Sequence, residues 1–344
     1  MRKKAGEITM QTAKIDLHLH LDGSLNLKWA YDKALQRNAI EPGTTFEEFY
    51  NIVYANNLKD RALSIRKFEL MCDVLQYRED LYEATFDLVH TLWEEGLIYA
   101  EIRFASQQHT KCGLTQKEAL QAVIDGAADA MDRFPGIRIG IINCLMHKGD
   151  SAAVNAAENM ETVLVTKDLL GKGAVGLDLA GFENNTEYSD YAPLLAAAAR
   201  EGIPFTMHAG EMGIGSHILD AIRMGADRIG HGVNCVQDPK YLEAILEYSI
   251  PLEVCVSSNV KRDLNYAAHP IRTLIDSGVK VTVNTDNRVF ARTTTPNEHA
   301  LLRMIGVTED QLIRCTYNAA EAAFCDHATK EWIMERLEEE FSRR

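Results

Sequence analysis

At 344 residues, with 46% hydrophobic residues, 25% charged residues and a net charge of −14, the chain has the composition of a soluble globular protein, and its charge has the wrong sign for a nucleic-acid partner. The basic residues form no cluster longer than Met1–Lys4, the segment up to Lys14 lacks the apolar run of a signal peptide, and no stretch approaches a membrane span. Seven cysteines without a C-x-x-C read as reduced thiols of a cytoplasmic protein.

The first element, "KIDLHLH" (Lys14–His20), is a period-two strand. Leu17 and Leu19 fall on one face, and Asp16, His18 and His20 on the other. More than seventy residues then separate it from the next strand, and "TTFEEFYNIVYANN" and "LSIRKFELMCDVLQ" within them are helical in pattern. A structureless loop of that length is implausible, so residues from about 24 to about 95 are expected to form helices covering a pocket. The remaining strands are "IYAEIRFA", "IRIGIINCLMH", "GAVGLDLAG", "IPFTMHAGE", "DRIGHGVNC", "IPLEVCVSSN" and "VKVTVNTDN", each followed by an amphipathic helical pattern. Asp238-Pro239 and His269-Pro270 mark two of the helix starts. Eight strand-helix alternations predict a parallel sheet closed into a (β/α)8 TIM barrel, a single domain over residues 1–344. An open doubly wound sheet is the alternative, but no G-x-G-x-x-G follows any strand.

The polar residues then fall into register. His18 and His20 close strand one, Asp178 and Gly181 strand four, and His208 strand five with Glu211 just past its end. His231 lies on strand six, Ser257 and Ser258 close strand seven, and Asp286 closes strand eight. Barrel enzymes keep their chemistry at these C-terminal ends. Three imidazoles and one carboxylate, from His18, His20, His208 and Asp286, suit one zinc ion with a position open for water. Glu211 reads as a general acid beside it, or as a turn carboxylate near a helix start. The glycines around His231 allow close approach of backbone or substrate. Glu101 and Arg103 read as an internal ion pair or network. His147 stays unassigned, and His90, His109, His217, His269, His299 and His327 read as surface or packing residues.

In this order, "HLHLDGS", "DLAG", "HAGE", "GHG" and "NTD" closely resemble the adenosine deaminase family of the metal-dependent amidohydrolases, over nearly the whole chain. The resemblance implies zinc-dependent hydrolytic deamination of a small-molecule purine nucleoside, adenosine or 2′-deoxyadenosine, with no organic cofactor. It implies zinc ligands at His18, His20, His208 and Asp286, and a proton donor to purine N1 at Glu211. His231 would orient or deprotonate the attacking water, with Asp286 also touching it. Gly181 would meet purine N3, and Asp22 the ribose 5′-hydroxyl, with His20 beside the substrate and Ser258 near the site. Many members read N-T-D-D where this chain reads "NTDN", so Asn287 would face N7, or else cap the segment that follows. No lysine suited to bridging two metals ends strand four, and the H-x-E and P-C-x-x-C of nucleic-acid-editing deaminases are absent. A relative acting on adenine or a 5′-modified adenosine is the remaining alternative.

Overall fold

The computed structural model describes residues 13–54, 61–149, 151–183, 187–260 and 265–342. The Met1–Lys4 cluster and residues 55–60 of the expected insertion lie outside the described residues. Eight strands run in order: β1 Lys14–His20, β2 Leu97–Phe104, β3 Arg138–His147, β4 Ala174–Gly181, β5 Phe205–Ala209, β6 Arg228–His231, β7 Leu252–Val254 and β8 Val281–Val283. Each pairs in parallel with the next, and helices alternate with them along the chain. The fold is a TIM barrel. No helix among the described residues is long and apolar enough to cross a membrane.

β7 and β8 are much shorter than their hydrophobic runs predict. Ser257 and Ser258 lie in a helical turn, Val256–Asn259, and not on a strand. Asp286 stands three residues beyond β8 with φ +61°, a left-handed conformation that a strand cannot contain. The barrel nevertheless closes there. Asp286 N–H donates to the His18 carbonyl (2.7 Å), His20 N–H donates to the Asp286 carbonyl (3.2 Å), and Leu17 N–H donates to Asn284 Oδ1 (2.8 Å). The seam between first and last strands is made by this backbone bridge, by Asn284, and by Thr285 Oγ1, which donates to Asp16 Oδ2 (2.7 Å).

The outward faces of the strands carry the apolar core. Leu17 packs with Ala319, Ala320, Ile333 and Leu337 of the C-terminal helices, while Leu177, Leu179, Phe205 and Met207 join the helices on the opposite side. The barrel interior is polar instead. Glu101, Arg103, Asp178, Arg228 and Glu253 are fully buried. Arg228 reaches Glu253 (2.7 Å) and Glu101 (2.5 Å), and Glu101 also accepts from Tyr99 Oη (2.9 Å) and Phe324 N–H (2.6 Å). Glu101 and Arg103 thus join an internal network, through Arg228, Glu253 and Asp178. Ions taken out of water each cost several kcal/mol unless paired, and here each carboxylate has a guanidinium.

Between β1 and β2 lie four helices, α1 (Leu27–Gln36), α2 (Phe46–Val53), α3 (Arg61–Val74) and α4 (Arg78–Glu94). The capping box of Thr45 and Glu48 starts α2. His109, in the loop after β2, ties this region down by donating from Nδ1 to the Leu75 carbonyl (2.9 Å), while its Nε2 is buried without a partner. It is a packing residue, but a fully buried one.

Burial pushes the His109 pKa down to about 4, and that of buried His299 likewise to about 4. Both folded values lie below the unfolded value near 6.5, so the unfolded chain binds protons first. Their contribution to stability is complete above about pH 6.5 and is lost as pH falls toward 4. Denaturant titrations are expected to show a loss of about 2 kcal/mol per histidine between about pH 6.5 and about pH 5. His109→Gln should flatten that dependence; an unchanged slope would exclude His109 as a contributor.

Candidate active site

Strand alternation turns His18 and His20 into the barrel mouth, and β5 brings His208 to meet them. Ring centroids lie 5.4 Å apart for His18 and His20, 4.7 Å for His18 and His208, and 4.8 Å for His18 and His231. Asp286 Oδ1 stands 3.7 Å from His18 Nε2 and 3.4 Å from His20 Nε2. The groups His18, His20, His208 and His18, His231, Asp286 each hold ligand atoms within 4.8 Å of one another. His18 Nε2 and His20 Nε2 are buried without a hydrogen-bond partner. Orphaned polar atoms of that kind are costly, and lone pairs converging with a carboxylate are the donor set a divalent cation requires. Burial lowers the pKa of His18 and brings that of His20 down to about 3, keeping both rings neutral as metal ligation demands.

Two carboxylates fix the tautomers. His18 Nδ1–H donates to Glu253 Oε2 (2.8 Å) and His208 Nδ1–H to Asp178 Oδ1 (3.1 Å), so each Nε2 faces the mouth. Arg103 joins the two, with Nη2 on Glu253 Oε2 (2.9 Å) and Nη1 on Asp178 Oδ2 (2.9 Å). Burial alone would raise the Glu253 carboxyl, but Arg103 and Arg228 hold it at about 2. Against the same burial, His208 and Arg103 hold Asp178 well below the usual carboxylate range. Sequence reasoning placed Asp178 at a strand end without a partner and missed Glu253. The available signal was a lone acid in the apolar run "PLEVCV".

The glycines of "GHG" are explained by contact. A Cβ at Gly230 would lie 3.1 Å from His18 Cε1, and Gly232 has φ +66°. His231 itself has φ +62°, the kind of strain that structures tolerate at functional positions. A chain of donors sets its ring. Ile271 N–H can only donate, and does so to His269 Nδ1 (3.2 Å), so the hydrogen of neutral His269 lies on Nε2. That atom faces Asn259 Oδ1 (3.3 Å), and Asn259 Nδ2 then donates to His231 Nδ1 (3.2 Å). In its neutral form His231 therefore presents Nε2–H toward Glu211, whose Oε2 is 3.7 Å away. His269 belongs to this chain and is more than a surface or packing residue.

Around the rim, Ser258 Oγ bonds Asp286 Oδ2, and Asn287 Nδ2 donates to Asp286 Oδ1 (2.6 Å). Asn287 precedes the short helix Arg288–Ala291 but makes no side-chain cap. Its carboxamide covers Gly23, where a Cβ would fall 2.1 Å from Asn287 Oδ1. Asp22 starts a turn after β1 and accepts from Cys72 Sγ of α3 (3.5 Å); burial raises its pKa. Gly181, with φ +122°, leaves no room for a side chain beside His147. His147 packs against Tyr188 and Tyr191.

A parallel barrel whose C-terminal mouth gathers four imidazoles and an aspartate, with a glutamate beside them, defines an enzyme of the barrel-hydrolase class. The adenosine deaminase profile matches residues 13–340, and the chain belongs to that family, as a hydrolytic deaminase. It is 32% identical to an adenosine deaminase of Haemophilus ducreyi over 96% of this chain and 97% of that one. With an adenosine deaminase of Lacticaseibacillus casei the identity is 33%, with 96% and 97% covered. Among solved structures, an adenine deaminase from Arthrobacter aurescens superposes with a TM-score of 0.82 at 24% identity, covering 96% of this chain and 98% of that one. A Burkholderia ambifaria amidohydrolase with bound zinc gives 0.86 at 22% identity, with 99% and 95% covered. At these identities the two structures speak for the fold.

Arg103→Met is expected to cost about 3–5 kcal/mol, because it leaves two buried carboxylates uncompensated. Equilibrium denaturation measures this directly, and a loss below about 1 kcal/mol would mean that other groups neutralise Glu253 and Asp178.

Proposed function

We propose that the chain is a cytoplasmic, zinc-dependent deaminase of adenosine and 2′-deoxyadenosine, releasing ammonia and the 6-oxopurine nucleoside. The observation that carries the reading is the pair of orphaned Nε2 atoms of His18 and His20 facing Asp286 Oδ1, with Glu211 across the mouth, in a chain of this family. His18, His20, His208 and Asp286 would hold the metal. Bound there, zinc supplies Lewis acidity that makes water a competent nucleophile near neutral pH. All seven cysteines are unpaired thiols, which suits a reducing compartment.

In this reading Glu211 delivers a proton to purine N1, drawing electron density from C6 so that water adds there and ammonia departs. His231, presenting Nε2–H, orients the water. One proton of the water passes by way of the Asp286 carboxylate to the amino group, which leaves as ammonia, and the other returns to Glu211. Asp286 accepts from Ser258 and Asn287, which fixes its carboxylate for the same task. Gly181 meets N3 through its backbone, Asn287 faces N7 with the amide hydrogen not given to Asp286, and Asp22 accepts the ribose 5′-hydroxyl. A carboxylate there repels a 5′-phosphate in a poorly solvated pocket, favouring nucleosides over nucleotides. We read α1–α4 as the cover of this pocket: Cys72 touches Asp22, and Phe68 lies edge-on to Phe290, 4.5 Å between centroids.

Ammonia release from adenosine, 2′-deoxyadenosine, adenine, AMP and 5′-modified adenosines tests the substrate directly. Adenosine and deoxyadenosine are expected to lead in kcat/KM, and preference for free adenine would reassign the chain. Asp22→Ala should cost adenosine about 1.5–3 kcal/mol in kcat/KM while barely touching adenine; equal losses would move the ribose contact elsewhere. Glu211→Gln should keep its zinc content and lose about 10²–10⁴-fold in kcat. A drop smaller than about tenfold would assign the proton to another donor.

A further inference from the structure

Glu183 lies just past β4, nearly fully buried, and the deamination chemistry above makes no use of it. Its carboxylate is saturated. Oε1 accepts from Gly210 N–H (2.8 Å) and His217 Nδ1 (2.8 Å), while Oε2 accepts from Glu211 N–H (2.9 Å) and Met212 N–H (2.6 Å). Burial alone would raise this carboxyl, but His217 and the backbone donors keep it below the usual carboxylate range. Three consecutive amides turned toward one anion form a cradle, which Gly210 permits by its φ of +67°.

We infer that Glu183 is a positioning residue for Glu211, the fixed anion around which the backbone of residues 210–212 is wrapped. The inference rests on the role given to Glu211 above. The segment follows the end of β5 and has no strand ladder to hold it, so its amides need acceptors from elsewhere. Its carbonyls are held from the opposite side, by Asn234 Nδ2 on Gly210 O (2.8 Å) and on Glu211 O (2.9 Å). His217 is held in turn. Its ring stacks on Tyr188 at 3.9 Å and 6°, and Tyr188 Oη donates to the His208 carbonyl (2.8 Å). The peptide of the proton donor is therefore clamped on both edges, and only its side-chain torsions remain free. His217, which the sequence marks only as a surface or packing residue, is the side-chain donor to the clamp.

Glu183→Gln keeps the volume but turns an amide N–H₂ toward backbone donors, so at least one of the four bonds is lost. In the full-length, metal-loaded enzyme, hydrogen–deuterium exchange across residues 210–212 should accelerate, while zinc content stays at the wild-type level. With adenosine, kcat should fall by about tenfold to about 10²-fold, with KM changed by less than about threefold, since a small misplacement of a reacting group acts on the chemical step. His217→Asn, which shortens the side-chain donor, should show the same pattern more weakly, and it serves if Glu183→Gln does not fold. Unchanged exchange, or a kcat within about twofold of wild type in a variant with faster exchange, overturns the inference. If the wild-type chain deaminates none of the 6-aminopurines, the reading of Glu211 fails instead, and the exchange data alone decide whether Glu183 holds the loop.

Discussion

Arg103 sits where the two carboxylates that orient His18 and His208 come together, and one planar guanidinium serves both. Two acids on different strands, each bonded to an imidazole, would repel each other and take up protons if left alone in a buried core. The guanidinium keeps them ionised, and their ionisation sets which nitrogen of each imidazole carries hydrogen. Glu253 is shared further with Arg228, which passes to Glu101 below. The mouth is therefore pre-oriented from beneath by charge, in a barrel whose interior is otherwise expected to fill with branched apolar side chains. A lysine at position 103 could not substitute, because it is a point charge without the fork.

Much of this was legible in the sequence because strand alternation is a strong signal. The i, i+2 spacing of His18 and His20, and the recurrence of polar residues at the ends of apolar runs, sufficed to expect a barrel and to expect these side chains together at one end. β1 to β4 lie within a residue or so of where the pattern puts them. β7 and β8 do not, because apolar runs continue into segments whose backbone has left the ladder. Val256 to Asn259 turn helical, and Asp286 adopts a positive φ that no hydrophobic pattern announces.

What stayed hidden depends on partners far apart in the chain. Glu253 is one acid in an apolar strand, and its meaning comes from Arg103, 150 residues away. His269 looks like a helix-start neighbour of Pro270 until Ile271 N–H and Asn259 are seen on either side of its ring. Asn287 could be read as a helix cap from its position, yet its amide goes to Asp286 and its oxygen lies over Gly23. Composition and spacing carry no information about such pairings. They are properties of the closed barrel.

The closing seam has a consequence for synthesis. β1 is made before the other seven strands, yet the bonds that join its backbone to the far side of the barrel come from the Asn284 side chain and the Asp286 backbone. A nascent chain stopped before that point holds His18, His20 and His208 on an open sheet whose first strand pairs with β2 along one edge and is bare along the other. Both the fourth wall of the mouth and the second partner of β1 arrive together, after all the other strands have been made. Until then the exposed edge of β1 is open to pairing with other chains, so protection during synthesis falls to whatever shields Lys14–His20. Once Asp286 emerges, one short stretch of backbone ends the exposure and completes the site.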